Sequence, residues 1–182
     1  MTATPTPPRY DWTIDEIASI YAAPLPDLVF RAQLAHRAHH APDQVQGCML
    51  LSIKTGGCPE DCKYCAQSVH YETAVEAERL LDRAAIRAAA EAAKAAGASR
   101  FCMGAAWREL KDRDVPRVAA IVADVKALGL ETCMTLGMVT PDQAAALKVA
   151  GLDYYNHNLD TSEAFYANIV TTRRYQDRLD AL

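Results

Sequence analysis

Three glycines punctuate the second half of this chain at equivalent places. Each closes a helical run, and each is followed within three residues by a short β-prone segment. Asp82–Ala96 reads as an alanine-rich helix closed by Gly97, and Arg100–Ala105 follows as a strand. Asp114–Leu128 places Val115, Val118, Val122 and Val125 at helical spacing and stops at Gly129, ahead of a strand over Leu130–Leu136. Thr140-Pro141-Asp142-Gln143 is a capping box with proline at the first helical position. It opens a helix that ends at Gly151, before a strand over Leu152–Asn158. A first strand over Met49–Lys54 completes four repeats. Such alternation implies an α/β fold with a parallel sheet and crossover helices.

Two further helices are expected upstream. Thr13–Ala22 has Thr13 as N-cap, Glu16 as its capping-box partner and Ile14, Ile17 and Tyr21 along one face. Pro24 and Pro26 then break the chain, and Leu28–His39 reads as the second helix. Its end carries His36 and His39 with His40 after them, on a polar helix terminus with nothing nearby to orient the rings; a solvated surface explains them better than a metal. Thr172–Leu182 begins a last helix.

The chain has 182 residues, of which 51% are hydrophobic, enough to bury a core as one domain. A net charge of −4 gives no electrostatic reason to expect nucleic acid or an anionic membrane as partner. No apolar run approaches the ~20 residues of a membrane span. Residues 1–12 read as a flexible tail without the pattern of a secretory signal. Six cysteines without such a signal read as reduced thiols or metal ligands, which places the chain in the cytoplasm.

Three of those cysteines define the chemistry. Cys58, Cys62 and Cys65 are spaced C-x3-C-x2-C in a loop broken by Gly56, Gly57 and Pro59. Thiolates select zinc, copper(I) or iron–sulfur clusters. A tetrahedral zinc site wants four ligands, so a zinc knuckle needs a distant fourth. Three close thiolates alone suit a 4Fe–4S cluster with one iron open. Both readings stand on spacing. Cys102 and Cys133 lie inside expected strands; on neighbouring strands their backbones would be ~5 Å apart, although buried cysteine is also an ordinary small hydrophobe. Cys48 is assigned a structural role.

The aromatic Tyr64 before the last cysteine of the loop completes C-x3-C-x-aromatic-C, which resembles the motif of radical S-adenosylmethionine enzymes. The longer run Ser52–Ser68 is similar to biotin synthases in particular. So are Phe101–Arg108, Glu131–Gly137 and Tyr154–Ser162, and the resemblance runs from about Trp12 to Leu182. It implies the N-terminal half of a TIM-type (β/α) barrel, about four βα units preceded by two helices, with residues 13–182 as a barrel domain incomplete at its C-terminus.

The implied activity is radical sulfur insertion into dethiobiotin to form biotin. By resemblance, Cys58, Cys62 and Cys65 hold a 4Fe–4S cluster whose open iron takes S-adenosylmethionine. Cys102 and Cys133 hold part of a 2Fe–2S cluster that donates sulfur. Tyr64 lies near the adenine, Asn158 and Asp160 at the ribose and Arg178 at the methionyl carboxylate, while Asn156 and Asn158 face dethiobiotin. A flavodoxin or ferredoxin as electron donor and a homodimer are implied too. The remaining cysteine and arginine ligands of the inner cluster lie on later strands in that family, and this sequence stops before them. The inner cluster is therefore expected to be absent or labile, and the chain alone to make no biotin. The rival reading is a non-catalytic fragment that binds zinc or an iron–sulfur cluster.

Overall fold

The computed structural model describes residues 9–182. The part of the expected tail before residue 9 lies outside the described residues. The chain forms two compact units, Met1–Val45 and Gln46–Leu182.

The first unit contains α1 (Ile14–Tyr21) and α2 (Leu25–His39). The α1 capping box forms as its sequence requires: Thr13 Oγ1 accepts from Glu16 N, and Glu16 Oε2 accepts from Thr13 N. Helix α2 starts three residues before the expected boundary, with Pro26 inside its first turn. Proline fits there because the first-turn N–H groups have no helical partner in any case.

The second unit is a four-stranded parallel sheet in the order β1 (Cys48–Lys54), β2 (Arg100–Ala105), β3 (Glu131–Thr135) and β4 (Tyr154–Tyr155). Helices α3 (Arg83–Ala95), α4 (Val115–Ala127) and α5 (Pro141–Val149) connect successive strands. Two short helices, α6 (Tyr166–Ile169) and α7 (Tyr175–Asp180), follow. This winding is that of half a TIM-type barrel. No helix among the described residues is long and apolar enough to cross a membrane.

Side chains alternate across the sheet, so each strand has two different faces. Phe101 and Met103 of β2, Met134 of β3 and Ile53 of β1 point toward α3–α5. There they join Ile86, Val118, Ile121, Val122 and Leu147 in one apolar core. The opposite face carries Cys48, Leu50 and Ser52 of β1 and Cys102 and Gly104 of β2. Leu50 there is 75% exposed. Core packing thus covers one face and leaves the other, with the strand ends, to build a site.

Two sequence expectations need correction. Strand β4 pairs over two residues, not seven, through Cys133 with Tyr154 and Met134 with Tyr155. Beyond it the Asn156 backbone N–H still reaches β3, donating to Met134 O at 2.8 Å. The chain then turns away through Asp160, which has φ +69°. The expected final helix begins at Tyr175, not Thr172, because Thr171 and Thr172 are engaged elsewhere.

Candidate functional site

The site begins where β1 ends. Gly56 (φ +63°) and Gly57 (φ +67°) turn the chain sharply, and a Cβ on Gly56 would lie 2.5 Å from Glu76 O. Only glycine fits a left-handed turn pressed against backbone. Lys54 pins the turn by donating to Gly56 O and, at 3.0 Å, to Ala106 O. The cysteine loop then folds onto itself: Cys58 N donates to Gln67 O, Val69 N to Cys58 O and Cys65 N to Cys62 O, each at 2.9 Å.

A distant segment locks this loop. The Asp61 carboxylate accepts from Thr171 N at 2.8 Å, Thr172 N at 3.1 Å and both threonine hydroxyls. Burial opposes the charge, but these donors outweigh it and hold the carboxyl well below the usual carboxylate range. Lys63 N adds a bond to Ile169 O at 3.1 Å.

Cys58, Cys62 and Cys65 all line one cavity of about 330 Å3 at the C-terminal ends of the strands. Barrel enzymes place their sites at that end. Cys58 and Cys62 are buried and Cys65 is partly so. Burial pushes the Cys58 and Cys62 thiols up, and the nearby Arg173 opposes this at Cys62. Arg173 Nη2 lies 3.6 Å from Cys62 Sγ, as a donor to sulfur.

Glu60, 2% exposed, sits between Arg108 and Arg173, with Nε–carboxylate distances of 3.2 and 3.5 Å. These are ion pairs without hydrogen-bond alignment, and Glu60 Oε1 and Arg173 Nε have no hydrogen-bond partner. No three donor side chains among the described residues already converge at metal-binding distance.

The far wall comes from the segment after β4. Asp160 accepts from Tyr64 Oη and from Arg178 Nη2. Arg178 also donates to Tyr166 Oη at 3.1 Å and faces His157 Nε2 at 3.3 Å. Burial, then Arg178 and Arg173, depress the His157 pKa to about 4, so the ring is neutral and accepts.

Of the residues singled out in the sequence, Cys58, Cys62, Tyr64, Cys65, Asn158, Asp160 and Arg178 share this cavity. Asn156 does not line it; its side chain donates to Thr135 Oγ1 at 3.3 Å. Cys102 and Cys133 are register partners on β2 and β3. Cys48, assigned a structural role in the sequence, is exposed, and its Sγ lies 3.3 Å from Cys102 Sγ. Arg173 and Glu60, which also line the cavity, were not singled out in the sequence. The run from Thr171 to Arg174 carries only the ordinary polarity of a loop, so nothing in it signals the fold that brings Arg173 to Cys62. A larger cleft of about 580 Å3, lined by Arg108, Lys111, Gln143 and Asp177 among others, holds no cysteine.

Comparison with known proteins agrees with this geometry. The chain is 60% identical to the biotin synthase of Phenylobacterium zucineum over 178 residues, 98% of this chain and 54% of that protein. It is 62% identical to that of Stenotrophomonas maltophilia strain K279a, over 96% of this chain and 50% of the relative. For Alkalilimnicola ehrlichii the figures are 60%, with 100% of this chain and 55% of the relative. The chain spans about half the length of the curated relatives it matches. A crystal structure of methylornithine synthase superposes with a TM-score of 0.70 at 17% identity, over 94% of this chain and 51% of that one, a likeness of fold alone. The family model of the radical SAM superfamily matches residues 52–182, from the middle of β1 through the cysteine loop to the last residue. With the match running over residues 52–182, well over half of its length, the chain belongs to the radical SAM superfamily.

Proposed function

We propose that this chain supplies the S-adenosylmethionine and cluster site of a biotin synthase, the enzyme that inserts sulfur into dethiobiotin. The observation that carries the reading is the convergence of Cys58, Cys62, Cys65, Tyr64, Asp160 and Arg178 on one cavity. The donor set fits a 4Fe–4S cluster: three soft thiols, two of them buried, with a cation already aimed at sulfur. When bound, such a cluster supplies the electron that cleaves S-adenosylmethionine to start radical chemistry.

The chain's own residues do the rest. Cys58, Cys62 and Cys65 would give up thiol protons on metal binding, which burial resists at Cys58 and Cys62. Arg173 offsets negative charge at Cys62. Asp160 and Arg178 are buried partners of each other, with side chains 2% and 6% exposed. Neither is saturated: a carboxylate offers about four lone-pair sites and a guanidinium five N–H donors. Asp160 therefore keeps capacity for ribose hydroxyls, and Arg178 for a carboxylate. Tyr64 Oη fixes the orientation of Asp160 while its ring remains available for stacking. Asn158 stands at the same wall for ribose or dethiobiotin. Asn156, tied to Thr135, reaches substrate only by giving up that bond. A flavodoxin or ferredoxin type of reductant belongs to this reading.

The test is anaerobic reconstitution with iron and sulfide, followed by EPR of the reduced protein with and without S-adenosylmethionine. Wild type should show a 4Fe–4S signal that changes on adding S-adenosylmethionine, and Cys58→Ala, Cys62→Ala and Cys65→Ala should each abolish it. Zinc in place of iron, or a signal unchanged in all three variants, would remove the assignment.

A further inference from the structure

Two carboxylates separate the first two cysteines of the loop, and they face different ways. Asp61 reaches out to Thr171 and Thr172, whereas Glu60 turns inward and lines the cavity with Cys58 and Cys62. Its backbone is fixed by Ser68 Oγ, which donates to Glu60 O at 2.5 Å, and Thr172 Oγ1 donates to its Oε2. The Glu60 and Arg173 side chains are 2% and 5% exposed, yet Glu60 Oε1 and Arg173 Nε lack hydrogen-bond partners. Their pairing is therefore one of charge, which leaves Arg173 Nη2 free to donate to Cys62 Sγ at 3.6 Å.

We propose that Arg173 is a positioning residue that acts through Cys62 to raise the reduction potential of the bound cluster, and that Glu60 opposes it. This rests on the reading of Cys58, Cys62 and Cys65 as 4Fe–4S ligands. Reduction adds negative charge to a cluster, so net charge and hydrogen bonds at its sulfurs set the potential. A cation donating to a ligand sulfur favours the reduced form, and a carboxylate behind that cation disfavours it. Both charges are buried, where salt screens them little. Arg108 faces the other Glu60 oxygen at 3.2 Å, but of the two arginines it is Arg173 that also donates to a ligand sulfur.

The two residues thus make opposite predictions. The full chain is reconstituted anaerobically with iron and sulfide, and the 4Fe–4S EPR signal is titrated against potential. Arg173→Met should favour the oxidised cluster about tenfold at a fixed potential, a fall of about 59 mV for a one-electron couple. Glu60→Gln, which keeps the shape and removes the charge, should move the potential upward. The double variant should lie between the two single ones. Arg173→Lys, which keeps the charge, should stay nearer wild type than Arg173→Met. A merely structural role would instead shift Arg173→Met and Glu60→Gln the same way, as the loop loosens in both.

Shifts of opposite sign at equal iron content support the proposal. Shifts of one sign, or none, overturn it while the function proposed above stands. If Arg173→Met holds no iron, Glu60→Gln decides alone: a raised potential supports the proposal, and an unmoved or lowered one overturns it. A wild-type chain without a 4Fe–4S signal removes that function and this inference together.

Discussion

His157 is a titratable residue whose charge the site constrains. It is 8% exposed, and its pKa is depressed to about 4 by burial and by the cations of Arg178 and Arg173. In the unfolded chain the same ring titrates near 6.5. As pH falls the unfolded state therefore binds the proton first, and stability contributed by neutral His157 is present above about pH 6.5 and lost on the way to pH 4. The folding free energy should drop across that window. His157→Gln should flatten the drop, because the amide oxygen still accepts from Arg178 without titrating. A ring midpoint near 6.5 in the folded protein, followed by NMR, would contradict the assignment. At this scale the sequence disclosed the cysteines and Tyr64, because their chemistry is written in local spacing. It did not disclose Arg173 or the Arg178–His157–Asp160 contacts, which join positions far apart in the chain. The first strand starts at Cys48, one residue before the expected Met49, which sets Cys48 on the face of Cys102.

Among the elements, the cysteine loop and the segment before α7 act as one unit because Asp61 joins them. Asp61→Ala removes a charged acceptor from two amides and two hydroxyls, and the expected loss is about 2 kcal/mol of stability, in line with single hydrogen bonds to charged groups. The effect should be local. Amide exchange at Thr171 and Thr172 should accelerate, with β2 unchanged, and uniform acceleration across the sheet would show that the clasp does not act locally. Acid should mimic the substitution. The folded carboxyl lies below its unfolded value near 3.9, so the clasp's contribution is present above that pH and lost below it. Helix and strand placement was largely legible, because glycine stops and capping boxes are local physics: β2 and the α5 cap lie where the sequence puts them. β4 was overextended because apolar and aromatic content says nothing about how far a neighbour pairs, and the turn at Asp160 ends it. Helix α6, four residues long, has too few positions to display a period.

For the whole molecule the sheet face opposite the core decides behaviour in solution. Among the described residues β1 and β4 each pair on one side only. Unpaired strand edges are templates for other strands. Apolar groups lie open at both edges: Leu50 is 75% exposed, and Met49 and Tyr154 are each 46% exposed. Covering side chains of this kind contributes about 25 cal/mol per Å2 of apolar area. A few hundred Å2 of such area is then worth several kcal/mol, comparable to the whole stability of a domain at ~5–15 kcal/mol. The 182-residue chain, of 19.9 kDa, should therefore self-associate, with the average mass by light scattering rising with concentration toward at least a dimer. Leu50→Lys places a charge on the β1 edge, the device by which natural edge strands avoid pairing. Because Leu50 lies outside the buried core, that substitution should restore the monomer mass while leaving the circular dichroism spectrum unchanged. A wild-type chain that stays at 19.9 kDa across a hundredfold concentration range would show that the open edges of this sheet do not recruit a second copy.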